Sequence, residues 1–454
     1  MQTRYVMPVP AGAPRRLAAA WLALGIGALI ASGLLALLLV LSRTPALQDL
    51  VPWVASFKTA LVIHVDLSVL IWFLAFAGAI WSLAASARCA AFGWVAFWIA
   101  TGGTGLMALS PFTSREPAPL LNNYVPVLQQ PVFLAGLGLV GMGFALVILR
   151  TLVVGMPSAL PDPESRALAR GTYAAALAAA LALGGFVWSW LAVPGERTGQ
   201  AYYELLFWGP GHLLQFTHAL LVCVVWMWLA GASGAKHAPS PTILGGAFMF
   251  AALPVVIGGP ALYALASPGT GPFQTGMTTL MRFGHLAMLP VAACVVAALF
   301  GIRGADAPQR AVHATLLWSL GLFTVGGILG FLIQGVNVII PAHYHGAIVG
   351  VTLAFMGLTY HLLPRLGFAA PVERFAYWQP FLYGGGQFLH VMGLAWSGAH
   401  GVQRKVAGAA QGLRTPAEIA GMALTGIGGT LAVAGGVLFL ALTVHAIAKR
   451  PRLT

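Results

Sequence analysis

Apolar stretches of eighteen residues or more recur along the whole of this chain, and a soluble fold has no use for them. Inside a bilayer each such run must pair its own backbone groups, which a helix does without help from a neighbour. Twelve spans are predicted: 17–42, 58–84, 89–110, 130–154, 167–193, 205–231, 241–265, 276–303, 310–336, 342–364, 376–399 and 419–447. With 59% hydrophobic and 7% charged residues, the loops between them are short and leave no room for a soluble domain. The fold class expected is therefore all-α, a polytopic bundle of 12 transmembrane helices forming a single integral membrane domain over residues 1–454. The first 16 residues are polar and basic and lead into a run long enough to span, so no cleavable signal is expected.

Charge gives the orientation. When the N-terminus is placed inside, most of the 23 Lys and Arg fall on that side, among them Arg15, Arg16, Arg88, Arg150, Arg166, Arg170, Arg310, Arg365 and Arg374. The opposite side receives Arg43, Lys58, Arg115, Arg197, Arg404, Lys405 and Arg414, while Arg282 lies within a span. That asymmetry predicts both termini in the cytoplasm, in a bacterial inner membrane. The net charge of +13 then reflects topology and anionic lipid, and nucleic acid is not an expected partner. Cys89, Cys223 and Cys294 have no C-x-x-C spacing, so neither a disulfide framework nor a c-type haem is expected.

Against this orientation the histidines are not scattered. His343 and His345 open span 10 at i and i+2, about 200° apart around a helix, so they face opposite ways and cannot share one metal. A helix with one imidazole on each side is suited to sitting between two haems. His64 on span 2, His212 on span 6 and His285 on span 8 lie near the starts of spans that run from outside to inside. Span 11 ends on the same side with His390 and His400, followed by Arg404 and Lys405. Histidines that merely fill a core would spread through both leaflets, and ionisable groups inside a bilayer are costly and usually functional.

These residues together resemble subunit I of the haem-copper oxidase superfamily, which includes cytochrome oxidases and nitric oxide reductases. The resemblance rests on twelve spans, His64 in span 2, Trp208-Gly-Pro-Gly-His212 in span 6, His343-Tyr-His345-Gly346 in span 10 and the basic pair after span 11. It implies two haems: a low-spin haem held by His64 and His345, and a high-spin haem with His343 as proximal ligand. Arg404 and Lys405 match the pair that neutralises haem propionates. The resemblance further implies a respiratory terminal reductase, passing electrons from a periplasmic or membrane-anchored cytochrome c or cupredoxin subunit to O2 or NO. The short loops and the Tyr360–Arg365 ending of span 10 look closest to the C-type oxidase and nitric oxide reductase branches.

One departure is equally informative. The family's non-haem metal, copper or iron, takes one histidine from span 6 and an adjacent pair from span 7. His212 matches the first, but Gly259-Pro260 leads into Ala261 and Leu262, which carry no donor atom. A metal here would be held by an unusual set such as His212 and His285, with Gln215 near the His212 face of its helix; otherwise it is absent. His218 is turned further round and is expected to face a neighbouring helix. Arg115-Glu116 and Asn122-Asn123-Tyr124, in the loop after span 3, could orient propionates or a cation. Two other functions fit the same sequence: a non-catalytic di-haem electron-transfer or gas-sensing protein lacking the second metal, and a transporter using the histidines as proton relays. No inverted repeat supports the latter.

Overall fold

The structure is a computed structural model of the chain and describes residues 5–45, 47, 56–85, 87–114, 116–155, 160, 162–235, 238–302 and 306–449. Among them, eleven helices are long and apolar enough to cross a membrane: α1 Ala13–Leu41, α2 Phe57–Ala84, α3 Ala90–Phe112, α4 Pro131–Val154, α5 Pro163–Ala192, α6 Gly199–Ala232, α7 Pro241–Leu265, α8 Gly271–Leu299, α9 Pro308–Phe331, α10 Ile339–Arg365 and α12 Pro416–Ala448. The predicted eleventh span is also a helix, α11 Glu373–Ala399, but its Glu, Arg, Gln and aromatic residues dilute its hydropathy. Every predicted span thus has its helix, with ends displaced by a few residues. The largest displacement concerns His212, which lies well inside α6 because that helix begins at Gly199.

The starts and breaks of the helices follow their local chemistry. Proline occupies the first turn of α4, α5, α7, α8 and α12, where its missing N–H costs nothing. Thr415 and Glu418 form a reciprocal capping box at the start of α12, satisfying two donors that have no intrahelical partner. Among the described residues, three helices are irregular within their length. α2 passes through a π-helical segment at Asp66–Ile71, α7 through another at Pro254–Gly258, and α8 tightens to a 3-10 turn at His285–Met288. In α7, Pro254 removes a backbone donor and displaces the ladder. The departure from an all-helical description is small: Pro119–Leu120 (β1) and Val127–Leu128 (β2) pair antiparallel in the loop after α3.

The chain divides into two compact units. The first comprises Met1–Gly25 and Leu70–Gly304, and within it α3 packs on α4 and α5 on α6 and α7. The second comprises Ile26–Val69 and Ala305–Thr454, and within it α9 packs on α10 and α11 on α12. The most apolar window of α10 is 89% buried and that of α6 83%, against 22% for α8. The histidine-bearing α6 and α10 are therefore interior helices, whereas α8 presents most of its surface outward.

Candidate functional site

The second unit brings four of the sequence-predicted histidines into two settings on opposite sides of α10. His343 turns toward α9, where its Nδ1–H donates to the Gly326 carbonyl at 2.7 Å. Its ring fits only because residue 330 is glycine: a Cβ there would lie 2.8 Å from the imidazole. His345 turns the other way, toward α11, with its ring 4.8 Å from that of His390 at 60°. The opposed faces expected from the i and i+2 spacing are thus present, each engaging a different helix.

His64 lies at the last turn of the regular helix before the π segment of α2, and its Nδ1–H donates to the Ser32 carbonyl at 3.0 Å. His390 is held in the same manner by the Thr425 carbonyl at 2.9 Å. A carbonyl accepts only, so in His64, His343 and His390 the proton sits on Nδ1 and the lone pair is on Nε2. An axial histidine needs this tautomer: the ligating nitrogen is bare and the other nitrogen is anchored. His345 stands within electrostatic range of His64, His390 and Arg43. The donor set at this side of α10 therefore fits a haem.

Charged and phenolic groups border the same cluster. Tyr344 lies within electrostatic range of both Arg43 and Arg404. Arg43 keeps its Nε and Nη2 shielded from solvent with no hydrogen-bond partner among the described residues, and burial pulls its guanidinium below the ordinary arginine range, against the stabilising pull of Tyr344. Arg404 and Lys405 follow α11, Lys405 with a left-handed backbone at φ 63°.

The first unit assembles differently. His212 is 1% exposed, and its Nδ1–H donates to the Trp208 carbonyl at 2.6 Å. The Tyr124 hydroxyl lies 2.8 Å from Nδ1 and 2.9 Å from Nε2, so the nitrogen that a metal would use already faces a hydrogen-bond donor. Tyr124 reaches the helix because residue 211 is glycine; a Cβ would come within 2.2 Å of the phenol ring. The loop is fixed on either side of Tyr124. Asn122 Oδ1 accepts from the Tyr124 and Val125 amides at 3.0 and 2.9 Å, and Asn123 donates to the Glu204 carboxylate from its backbone and its side chain. Burial, aided by Glu204, holds the Tyr124 phenol well above its ordinary value, so it remains a neutral donor.

His285 stacks on Phe216 with ring centroids 4.1 Å apart and an angle of 13°, within electrostatic range of His212, while its Nδ1 meets the Met281 carbonyl at 2.7 Å. Gln215 is half-buried on α6. His218 faces a neighbouring helix as expected, its ring 4.9 Å from Phe73 of α2. Leu262 packs against α8 at Gly276, and Ala261 adds no donor. Among the described residues no group of three or more His, Cys, Asp or Glu could hold a metal ion. The residues around His212 therefore do not supply the ligand set of a non-haem metal. Arg115 lies outside the described residues.

Two participants have partners that the sequence does not reveal: Tyr124, expected to orient propionates or a cation, meets His212 instead, and His390 meets His345. Tyr124 is 88 residues from His212, and the only local sign of their contact is the glycine at 211. His390 is expected on the same side as the other site histidines, but nothing in its neighbours in sequence reveals its pairing with His345.

Comparisons with known proteins agree with this architecture. A family described as cytochrome c and quinol oxidase polypeptide I matches residues 16–438. An uncharacterised protein of Rickettsia prowazekii (strain Madrid E) is 29% identical, covering 93% of this chain and 94% of its own. One of Aquifex aeolicus (strain VF5) is 26% identical, covering 80% of this chain and 88% of its own. Among solved structures, a heme-copper terminal oxidase dimer superposes with a TM-score of 0.76 at 16% identity, covering 98% of this chain and 86% of that one. At that identity the superposition speaks for the fold.

Proposed function

We propose, from the premise that this chain belongs to the cytochrome c and quinol oxidase polypeptide I family, that it is the di-haem subunit of a respiratory terminal reductase acting on O2 or NO. It is a multi-pass integral membrane protein. The observation that carries the reading is the pair of imidazole settings on α10. His343 is anchored through Nδ1 with Nε2 open, and His345 faces the other way within range of His64. His64 and His345 would hold a low-spin haem, His343 a high-spin haem, and Arg43, Arg404 and Lys405 the acidic edge of the macrocycle. When bound, these groups supply one-electron transfer and binding of a diatomic gas. The protein's own contribution is to fix tautomers and ring orientations through the Ser32 and Gly326 carbonyls, and to keep water away by burying α10.

The proposed setting is a single membrane domain over residues 1–454 in a bacterial inner membrane, with electrons entering on the periplasmic side from a cytochrome c or cupredoxin subunit. No step is routed through a second metal. Turnover of the purified complex with a reduced donor tests this function: consumption of O2 or NO that disappears in His343→Ala is expected. An intact complex carrying both haems that consumes neither gas contradicts it.

A second reading is favoured by the Tyr124–His212 hydrogen bond and the apolar residues at 261 and 262. Under it, the chain transfers electrons or senses a gas without reducing it. A copper or a third iron lost in His212→Ala or His285→Ala would instead show that those histidines hold a metal.

A further inference from the structure

His345 differs from the other site histidines in how it is held. His64, His343, His390, His212 and His285 each have Nδ1 on a backbone carbonyl. His345 has no such bond: among the described residues its ring is met by two other rings, Tyr344 at 5.5 Å and His390 at 4.8 Å. An axial histidine is ordinarily oriented by a hydrogen bond from its non-ligating nitrogen, which fixes both tautomer and ring plane. Without one, packing must set the plane.

We propose that His390 is the positioning residue of the His345 imidazole, fixing its ring plane by edge-to-face contact. Tyr344 is adjacent in sequence and 38% exposed, so it constrains the ring weakly. His390 comes from a different helix and is itself immobilised. Its Nδ1–H is bonded to the Thr425 carbonyl, and α12 presses on its backbone, since a Cβ at Gly428 would lie 2.3 Å from the His390 amide nitrogen. The rigid element is thus the α11–α12 pair, whose close packing is transmitted to His345 through one aromatic contact. This inference rests on the assignment of His345 as a haem ligand. It adds a residue whose effect appears in the electronic structure of the haem, because the angle between two axial imidazole planes sets the g-values of a ferric low-spin haem.

The test uses the complete purified protein with His390→Ala and His390→Phe, read by electron paramagnetic resonance of the oxidised state. Removing the ring is expected to displace and broaden the low-spin signal; the phenyl ring, which restores the contact without a nitrogen, is expected to return it close to the unaltered position. A His390→Ala signal that superimposes on the unaltered one overturns the proposal, as does a His390→Phe signal displaced as far as that of His390→Ala. If His390→Ala takes up no haem, His390→Phe decides alone: an undisplaced signal supports the contact and a displaced one overturns it. Failure of the ligand assignment would look different, because His345→Ala would then leave the low-spin signal in place.

Discussion

The histidines of the two units share one device and use it to opposite ends. In the second unit, a backbone carbonyl takes the Nδ1 proton of His64, His343 and His390 and leaves Nε2 without a hydrogen-bond partner among the described residues. In the first, His212 is anchored in the same way by Trp208, but the Tyr124 hydroxyl lies against Nε2 as well. The first arrangement leaves one ring nitrogen bare, as the proposed haem ligands His64 and His343 require, and the second engages both nitrogens of a buried side chain.

That contrast can be broken in several ways. The largest effect is expected at His343: replacement by Ala should abolish the CO difference spectrum of the reduced protein, while His212→Ala should retain it. CO binding that survives His343→Ala would remove the difference between the units. Next comes Tyr124→Phe, which leaves His212 Nε2 buried without a partner and should cost about 1–3 kcal/mol, seen as a lower thermal midpoint with unchanged haem absorption. A haem spectrum that changes in Tyr124→Phe would mean that His212 belongs with the ligands. Gly211→Ala should act on the same contact by forcing the phenol ring away, with a cost of about 1–3 kcal/mol from overpacking. An undiminished thermal midpoint there would show that the loop repacks freely. The smallest effect is expected from Gln215→Ala. Its side chain is half-buried, so stability should change by less than about 0.5 kcal/mol, and any large loss of turnover would place it on the substrate.

Much of this was legible in the sequence, for reasons that also explain the remainder. The twelve helices follow from runs of apolar residues, a signal that needs no tertiary information, and even the charged α11 was visible as a run. The opposed settings of His343 and His345 follow from helical geometry alone. Partners supplied by other helices were not legible. The carbonyls of Ser32 and Gly326 carry no residue-specific signature, and Tyr124 and His390 reach their histidines through packing that no local pattern encodes. The π segments at Asp66–Ile71 and Pro254–Gly258 were likewise invisible, because one added residue in a helical turn hardly alters an apolar run.

The proposed low-spin haem of His64 and His345 in the second unit stands or falls on the reduced absorption spectrum of His64→Ala beside that of the unaltered protein. In His64→Ala the sharp low-spin alpha band is expected to disappear while high-spin absorption and CO binding persist. A low-spin band of undiminished height in His64→Ala would contradict it.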